Sequence, residues 1–333
     1  VTQSPDTRLG QPVSETGRRL ALELLWRWDD TRTRLAEAAD PEALHDFRVA
    51  QRRLRSVLRA FRADGDALVP GRLRRRLGRL ALITGASRDF EVQRIWLQGR
   101  IPLLTPRQQG EARWMLARLE HRESRATRQL LRRVARRYGP LYKRLEAALE
   151  QSESPEGGTY PDSGPIAPVV SQCLAEWVER LETRLASISS IRDQTAAHQS
   201  RILVKRIRYL LEPFEAELAG APGVLRQLEQ LQDVLGNLHD QFRLAAELRR
   251  AFREAAVSHA DQRYHEMFPW EEPAGEPDRR IPAVPTGGLA ALARILAAEA
   301  ESQFAQLKDE WLVGGGGTKL CASVRALAEA CAD

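Results

Sequence analysis

One pattern occurs twice in this chain and restricts its fold more than any other feature. His45, Arg48, Arg52, Arg53 and Arg55 return at one constant offset as His198, Arg201, Lys205, Arg206 and Arg208, with aliphatic residues between the cations. Spacings of three and four align side chains along one side of a helix, so the pattern predicts two helices, each with a ridge of positive charge. Like charges stacked on a helix lower its stability unless something negative neutralises them. The repeat therefore points to an extended polyanion as ligand.

With Arg52 as the origin of a helical wheel at about 100° per residue, His45, Arg48, Arg52, Arg55, Arg59 and Arg62 fall within an arc of about 100°. Phe47, Ala50, Leu54, Val57, Leu58 and Phe61 cluster opposite. The second copy sets His198, Arg201, Lys205 and Arg208 against Leu203, Ile207, Leu210 and Phe214, and Arg53 and Arg206 sit at the flank of each ridge. Ordinary charged surface faces mix Glu with Lys at i,i+4 and neutralise themselves. The first copy has no acid between Arg48 and Arg62, whereas the second meets Glu212. Both His residues fall near a predicted helix start, where free amides and the helix dipole favour an anion. Arg79, in the basic run that begins at Arg74, and the stripe from Arg118 to Arg136 are further candidates for the same ligand.

Nearly every long segment reads as helix. Ser14 caps a helix to about Ala38, and Asp40-Pro41 starts the first motif helix, which runs to about Ala63. A third helix covers Arg72 to about Gln98. Thr105-Pro106 begins a fourth that reaches about Glu150, with a break expected at Gly139-Pro140. Residues 151–168 are rich in Pro, Gly and Ser and read as a linker. Helix resumes over Val169–Ser187. Thr195 caps the second motif helix, which is expected to run to about Ala219 with a kink at Pro213. Pro222 opens a helix to about Ala256, and after a loose stretch Pro269–Gly288 an amphipathic segment covers Gly288–Leu312. Gly314–Gly317 reads as a linker before a short terminal helix. The repeat extends further: Leu77, Leu80 and Ile83 lead to Gly85 and Arg88-Asp89, as Leu228, Leu231 and Val234 lead to Gly236 and His239-Asp240.

The expected architecture is thus all-α, with two four-helix bundles related by a pseudo-twofold and a basic groove. The first bundle spans 14–150 and the second 169–312, with 313–333 as a glycine-rich linker and terminal helix. Charge is uneven: residues 1–150 hold 32 Lys/Arg against 18 Asp/Glu, and the remainder 19 against 27, so a net +14 faces a net −8. All but one of the first set are Arg, whose planar fork matches phosphate oxygens bidentately. The three cysteines form no paired metal-ligand spacing, which suits a reducing, cytoplasmic setting, and no apolar run reaches membrane-spanning length.

At His45–Phe61, His198–Phe214, Gly85/Arg88-Asp89 and Leu231–Asp240 the chain resembles the CHAD family, whose name stands for conserved histidine α-helical domain, over about residues 14–312. The resemblance implies a duplicated helical fold with a basic groove and binding of inorganic polyphosphate. Carried over by position, the ligand residues are His45, Arg48, Arg52, Arg53 and Arg55, with His198, Arg201, Lys205, Arg206 and Arg208. Three departures stand out: the second half is net acidic, Gln199 replaces the Asp46 beside His45, and Pro213 interrupts the second motif helix. The implied role is non-catalytic, with no cofactor and no metal. Polyphosphate granules or polyphosphate-metabolising enzymes are the expected partners.

Two other classes compete. Nucleic-acid binding fits a pI near 9.6 and an Arg ridge, but base stacking asks for aromatics among the cations. Phe47, Phe61 and Phe214 fall instead on the apolar face, with Tyr209 as the exception. A metal-dependent phosphohydrolase built on His45-Asp46 and His239-Asp240 would need several convergent ligands. The repeat argues against it, because Asp46 aligns with Gln199 and His239 with Arg88. The E-x-E-x-K signature of the triphosphate-tunnel domains often fused to this family is absent.

Overall fold

The structure, a computed structural model, describes residues 7–36, 42–63, 66–150, 164–268, 270 and 287–332, without the side chains of 62–63, 66–67 and 86. It is all-α. The helices are α1 (Val13–Ala36), α2 (Ala43–Ala60), α3 (Gly71–Arg100), α4 (Pro106–Glu150), α5 (Ala167–Ala186), α6 (Gln194–Leu211), α7 (Ala221–Met267), α8 (Gly288–Gln306) and α9 (Gly316–Ala332). The other paired backbone is a two-residue antiparallel ladder, Arg62↔Ala67 and Ala63↔Asp66, and an isolated bridge between Pro12 and Pro165. No helix among the described residues is long and apolar enough to cross a membrane. The expected Asp40-Pro41 helix start and residues 151–163 of the expected linker lie outside the described residues.

The chain forms two compact units, and they do not coincide with the sequence halves 14–150 and 169–312. One unit comprises residues 1–85, 129–236 and 306–333, and the other 86–128 and 237–305. Helices α3, α4 and α7 each contribute to both, because their apolar periodicity continues past the point where the packing partners change.

In the larger unit α1 packs on α2, α5 on α6 and on α9, and α2 on α6. Its core holds Trp28, Phe47 and Tyr138, with centroids 5.3 Å apart for Trp28–Phe47 and 4.6 Å for Trp28–Tyr138. Residues 9–13 run beside 164–167 through hydrogen bonds from Ile166 N to Gln11 O and from Val13 N to Gly164 O. The smaller unit encloses its own core of Leu97, Met115, Leu119, Leu244, Leu248 and Leu292. There the Glu111 carboxylate accepts from the amides of Gly288 and Leu289 at 2.9 and 3.1 Å and so caps α8.

Four details differ from the sequence expectation. Helix α4 runs unbroken through Pro140. A proline in a helix interior costs about 3 kcal/mol, and the burial of Val134, Tyr138, Leu141, Leu145 and Leu149 along one face offsets that loss. Helix α6 ends at Leu211, and Pro213 sits in a 3-10 turn (Glu212–Phe214) where its missing N–H is no handicap. Helix α7 reaches Met267 rather than Ala256, since propagation of a formed helix continues without an apolar face. The glycine run is a tight turn and no loose linker: Gly315 has φ +79°, and a Cβ on Gly316 or Gly317 would stand 2.5 or 2.6 Å from the carbonyl oxygens of Glu310 and Trp311. It closes the π-helical turn Leu307–Leu312 and turns the chain into α9, whose Leu320, Cys321, Val324 and Leu327 are buried.

Candidate anion-binding site

Both motif helices belong to the larger unit, and they touch each other. Helix α2 buries Phe47, Leu54, Val57 and Leu58, and α6 buries Leu203, Val204, Ile207 and Leu210, so the apolar halves of the two wheels face the core. The helices meet near their C-terminal ends, where Phe61 and Phe214 stand edge to face at 6.3 Å. These two phenylalanines occupy equivalent positions of the sequence repeat.

On α2, His45 is exposed in the first turn and Asp46 beside it is bound to Arg34 at 2.7 Å. Arg48 is half-buried. Arg52 donates to the Tyr209 hydroxyl on α6 at 3.3 Å. Arg53 is paired with Glu212 at 2.9 Å. Arg55 lies over Gly78 of α3, where the absent side chain leaves the guanidinium room, 3.9 Å from the position of a Cβ. Its pKa is lowered from the ordinary guanidinium value, first by burial and then by Arg59 and Arg52. Arg59 is exposed at the end of α2, and Arg79 is exposed on α3.

On α6, His198 and Lys205 are half-buried, and Arg201 lies beside Gly236 of α7, 3.7 Å from the position of a Cβ. Arg208 is held by Glu212 at 3.1 Å and by Glu229 at 3.2 Å, and sits over the Tyr209 ring at 5.4 Å. Tyr209 is itself buried, so it offers no surface on which a base could stack. The pKa of Arg206 is lowered by burial, then by Arg59, Arg180 and Arg55, and raised in part by Glu176, which is paired with Arg180 at 2.5 Å. Positive side chains from α2, α5 and α6 therefore lie near one another, with Glu176 among them.

The repeat explains why charge collects on one side. Arg53 and Arg206 are equivalent, and so are Arg59 and Glu212. Where Arg53 faces Glu212 an ion pair forms. In the equivalent relation Arg206 feels Arg59, a like charge. Sequence reasoning placed Arg53 and Arg206 alike at the flanks and missed Arg180 of α5. The signal was present in the i,i+4 spacing of Arg180 and Arg184, although Glu176 and Glu179 nearby masked it.

The stripe from Arg118 to Arg136 does not act as one surface. Arg118 and Arg122 are bound in the smaller unit to Glu247 and Glu254 of α7, with Arg122–Glu247 at 2.8 Å and Arg118–Glu254 at 2.6 Å. Arg132 and Arg136 belong to the other unit and are exposed. In the second repeat element Arg88 pairs with Glu91 at 2.9 Å and Asp89 with Arg243 at 2.5 Å. Among the described residues no three His, Cys, Asp or Glu side chains converge to hold a metal ion.

An all-helical chain with paired basic helices defines the class of protein, and the comparisons specify it. The chain belongs to the CHAD domain family, whose model matches residues 19–249. The crystal structure of the CHAD domain from the plant Ricinus communis superposes with a TM-score of 0.60 at 21% identity, covering 98% of this chain and 95% of that one. That likeness extends the shared fold over the C-terminal segment beyond the family match. No curated protein matches by sequence.

Proposed function

We propose that the protein binds inorganic polyphosphate without turning it over, through the basic faces of α2 and α6. The observation that supports this reading is that α2 and α6 pack against each other at their C-terminal ends and bring Arg55, Arg59 and Arg206 together, so that burial and like charge lower the pKa of Arg55 and Arg206. A like-charge cluster of guanidiniums is costly in the free protein, and a ligand of repeating phosphates relieves it with bidentate, charge-assisted bonds. Arg52, Lys205, Arg48, Arg201, His45 and His198 extend the same surface along both helices.

A nucleic-acid backbone offers similar charge. The burial of Phe47, Phe61, Phe214 and Tyr209 favours the simpler ligand, because no aromatic of the motif helices is left to stack on a base. The cellular role follows as a proposal of the same rank: recruitment to polyphosphate granules or attachment to enzymes that make or degrade the polymer, in the cytoplasm.

The test is a competition of labelled long-chain polyphosphate against RNA and DNA of matched charge. Polyphosphate should win, with affinity rising with chain length and falling steeply with salt as counterions are released. Arg52→Glu with Lys205→Glu should abolish binding while helical circular dichroism persists. Equal competition by RNA, or release of orthophosphate that a chelator stops, would overturn the proposal.

A further inference from the structure

The motif ridges do not account for a groove between α5 and α6, in the same unit. It has a volume of about 560 Å³ and is lined by Glu179, Arg180, Thr183 and Arg184 of α5 and by Gln199 and Arg206 of α6, over an apolar floor of Ile202 and Leu203. A second hollow of about 340 Å³ shares Arg184 and Gln199 and adds Ser187, Arg192, Asp193 and Thr195 at the start of α6. The two hollows adjoin at Arg184 and Gln199 and together reach from Arg206 to the N-terminal end of the 18-residue α6, where free amides and the dipole favour an anion.

We propose that this α5–α6 groove is a phosphate subsite, which receives the part of a polyphosphate chain that runs on past the motif helices. The inference rests on the polyphosphate reading above and adds a site to it.

Two of the lining side chains each carry a buried polar atom without a hydrogen-bond partner, Arg206 Nε and Gln199 Oε1. A phosphate entering the groove meets the Arg206 guanidinium, and a small shift of that side chain brings Nε within reach of a phosphate oxygen. The Gln199 amide, whose oxygen and nitrogen are interchangeable by a flip, donates to a phosphate when it turns its nitrogen inward. Two of the acids nearby already have partners. Asp193 accepts from the amides of Ser189 and Ser190 at 2.9 and 2.8 Å, and Glu176 is paired at 2.5 Å with Arg180, which leaves Arg184, Arg192 and Arg206 as the cations for a ligand. Glu179 lines the groove together with Arg184 and Arg206, and Arg206 also lies within the field of Arg59 and Arg55.

The repeat singles out this side. Gln199 stands where the first copy has Asp46, which binds Arg34, and Arg206 stands where the first copy has Arg53, which binds Glu212. The counterpart of Arg184 on α1 is Thr31. The α1–α2 pair therefore lacks what makes the α5–α6 pair cationic. The departures of the second copy, an amide for an acid and an acid for an arginine, move the anion path to α5. No aromatic side chain lines the groove, which suits a phosphate polymer and not a nucleoside.

Arg184 and Arg192 are exposed and lie off the motif ridge, so their loss leaves the core intact. The experiment compares full-length wild type with Arg184→Ala/Arg192→Ala, using long-chain polyphosphate and tripolyphosphate at several salt concentrations. Long-chain affinity should fall about tenfold and its salt dependence flatten by about two counterions, while tripolyphosphate, held on the motif ridge, is unaffected. Arg184→Lys/Arg192→Lys should restore most of the long-chain affinity. Unchanged long-chain affinity and salt slope would overturn the groove, as would an equal loss for both ligands. Wild type that binds neither ligand would defeat the polyphosphate reading itself and the groove with it.

Discussion

Replacing Glu212 by Gln should strengthen polyphosphate binding, an unusual direction for a substitution within a ligand-binding surface. The Glu212 carboxylate holds two arginines of the repeat, Arg53 at 2.9 Å and Arg208 at 3.1 Å, and on the proposed reading would compete with phosphate for both. Glutamine keeps the shape and one acceptor but removes the charge. Arg53 is then released, while Arg208 keeps Glu229 at 3.2 Å and is released in part. At about 1 kcal/mol for each guanidinium made available, the gain lies between roughly 5-fold for one and 30-fold for both. The stability cost is small: the side chains of Arg53 and Glu212 are 34% and 24% exposed, and bridges of this kind contribute about 0.2–1 kcal/mol each. Fluorescence anisotropy with labelled long-chain polyphosphate should show the higher affinity, and its salt slope should steepen by about one to two. A folded variant with unchanged or weaker binding would show that Arg53 and Arg208 face away from the ligand. The reasoning from charge asymmetry would then fail.

Three further outcomes follow from individual groups. Glu247→Gln should lower the stability of the smaller unit by about 3 kcal/mol, seen as an earlier transition in urea, because Glu247 is 1% exposed and its loss leaves Arg118 buried without a full counter-charge. The hydrogen bonds from Arg118 hold the Glu254 carboxyl below its ordinary 4.5. Its contribution is therefore complete above that value and is lost as pH falls through the lower folded-state value. Glu254→Gln should flatten the acid limb of a pH–stability curve. Burial pushes the thiols of Cys321 and Cys331 up to about 11, so at pH 8 only roughly one in a thousand is thiolate, and a thiol-specific disulfide reagent should label them at the rate of unfolding.

Much of the helical frame was legible in the chain because it depends on local periodicity. The wheel separated Phe47, Leu54 and Leu58 from Arg48, Arg52 and Arg55, and the same division appears as burial in α2. Signals that compete with tertiary packing were read less well. Pro140 carries a strong local instruction to break a helix, and the apolar face around it outweighs that instruction. Gly314–Gly317 has the composition of a flexible linker, yet its missing side chains serve a close turn against Glu310 and Trp311. Arg118 and Arg122 read as part of a surface stripe because their partners, Glu247 and Glu254, lie far along the sequence on another helix.

The sequence by itself determined that the chain is helical, that one basic motif occurs twice, and that each copy separates an apolar face from a cationic one. These properties follow from spacing along a single helix. Only the tertiary structure decided which cations remain available to a ligand. Arg53 and Arg206 are equivalent in sequence, but one meets Glu212 and the other stands near Arg59, Arg180 and Arg55. Electrostatic neutralisation depends on distances of a few ångströms between helices, and those distances exist only once α2, α5 and α6 have packed.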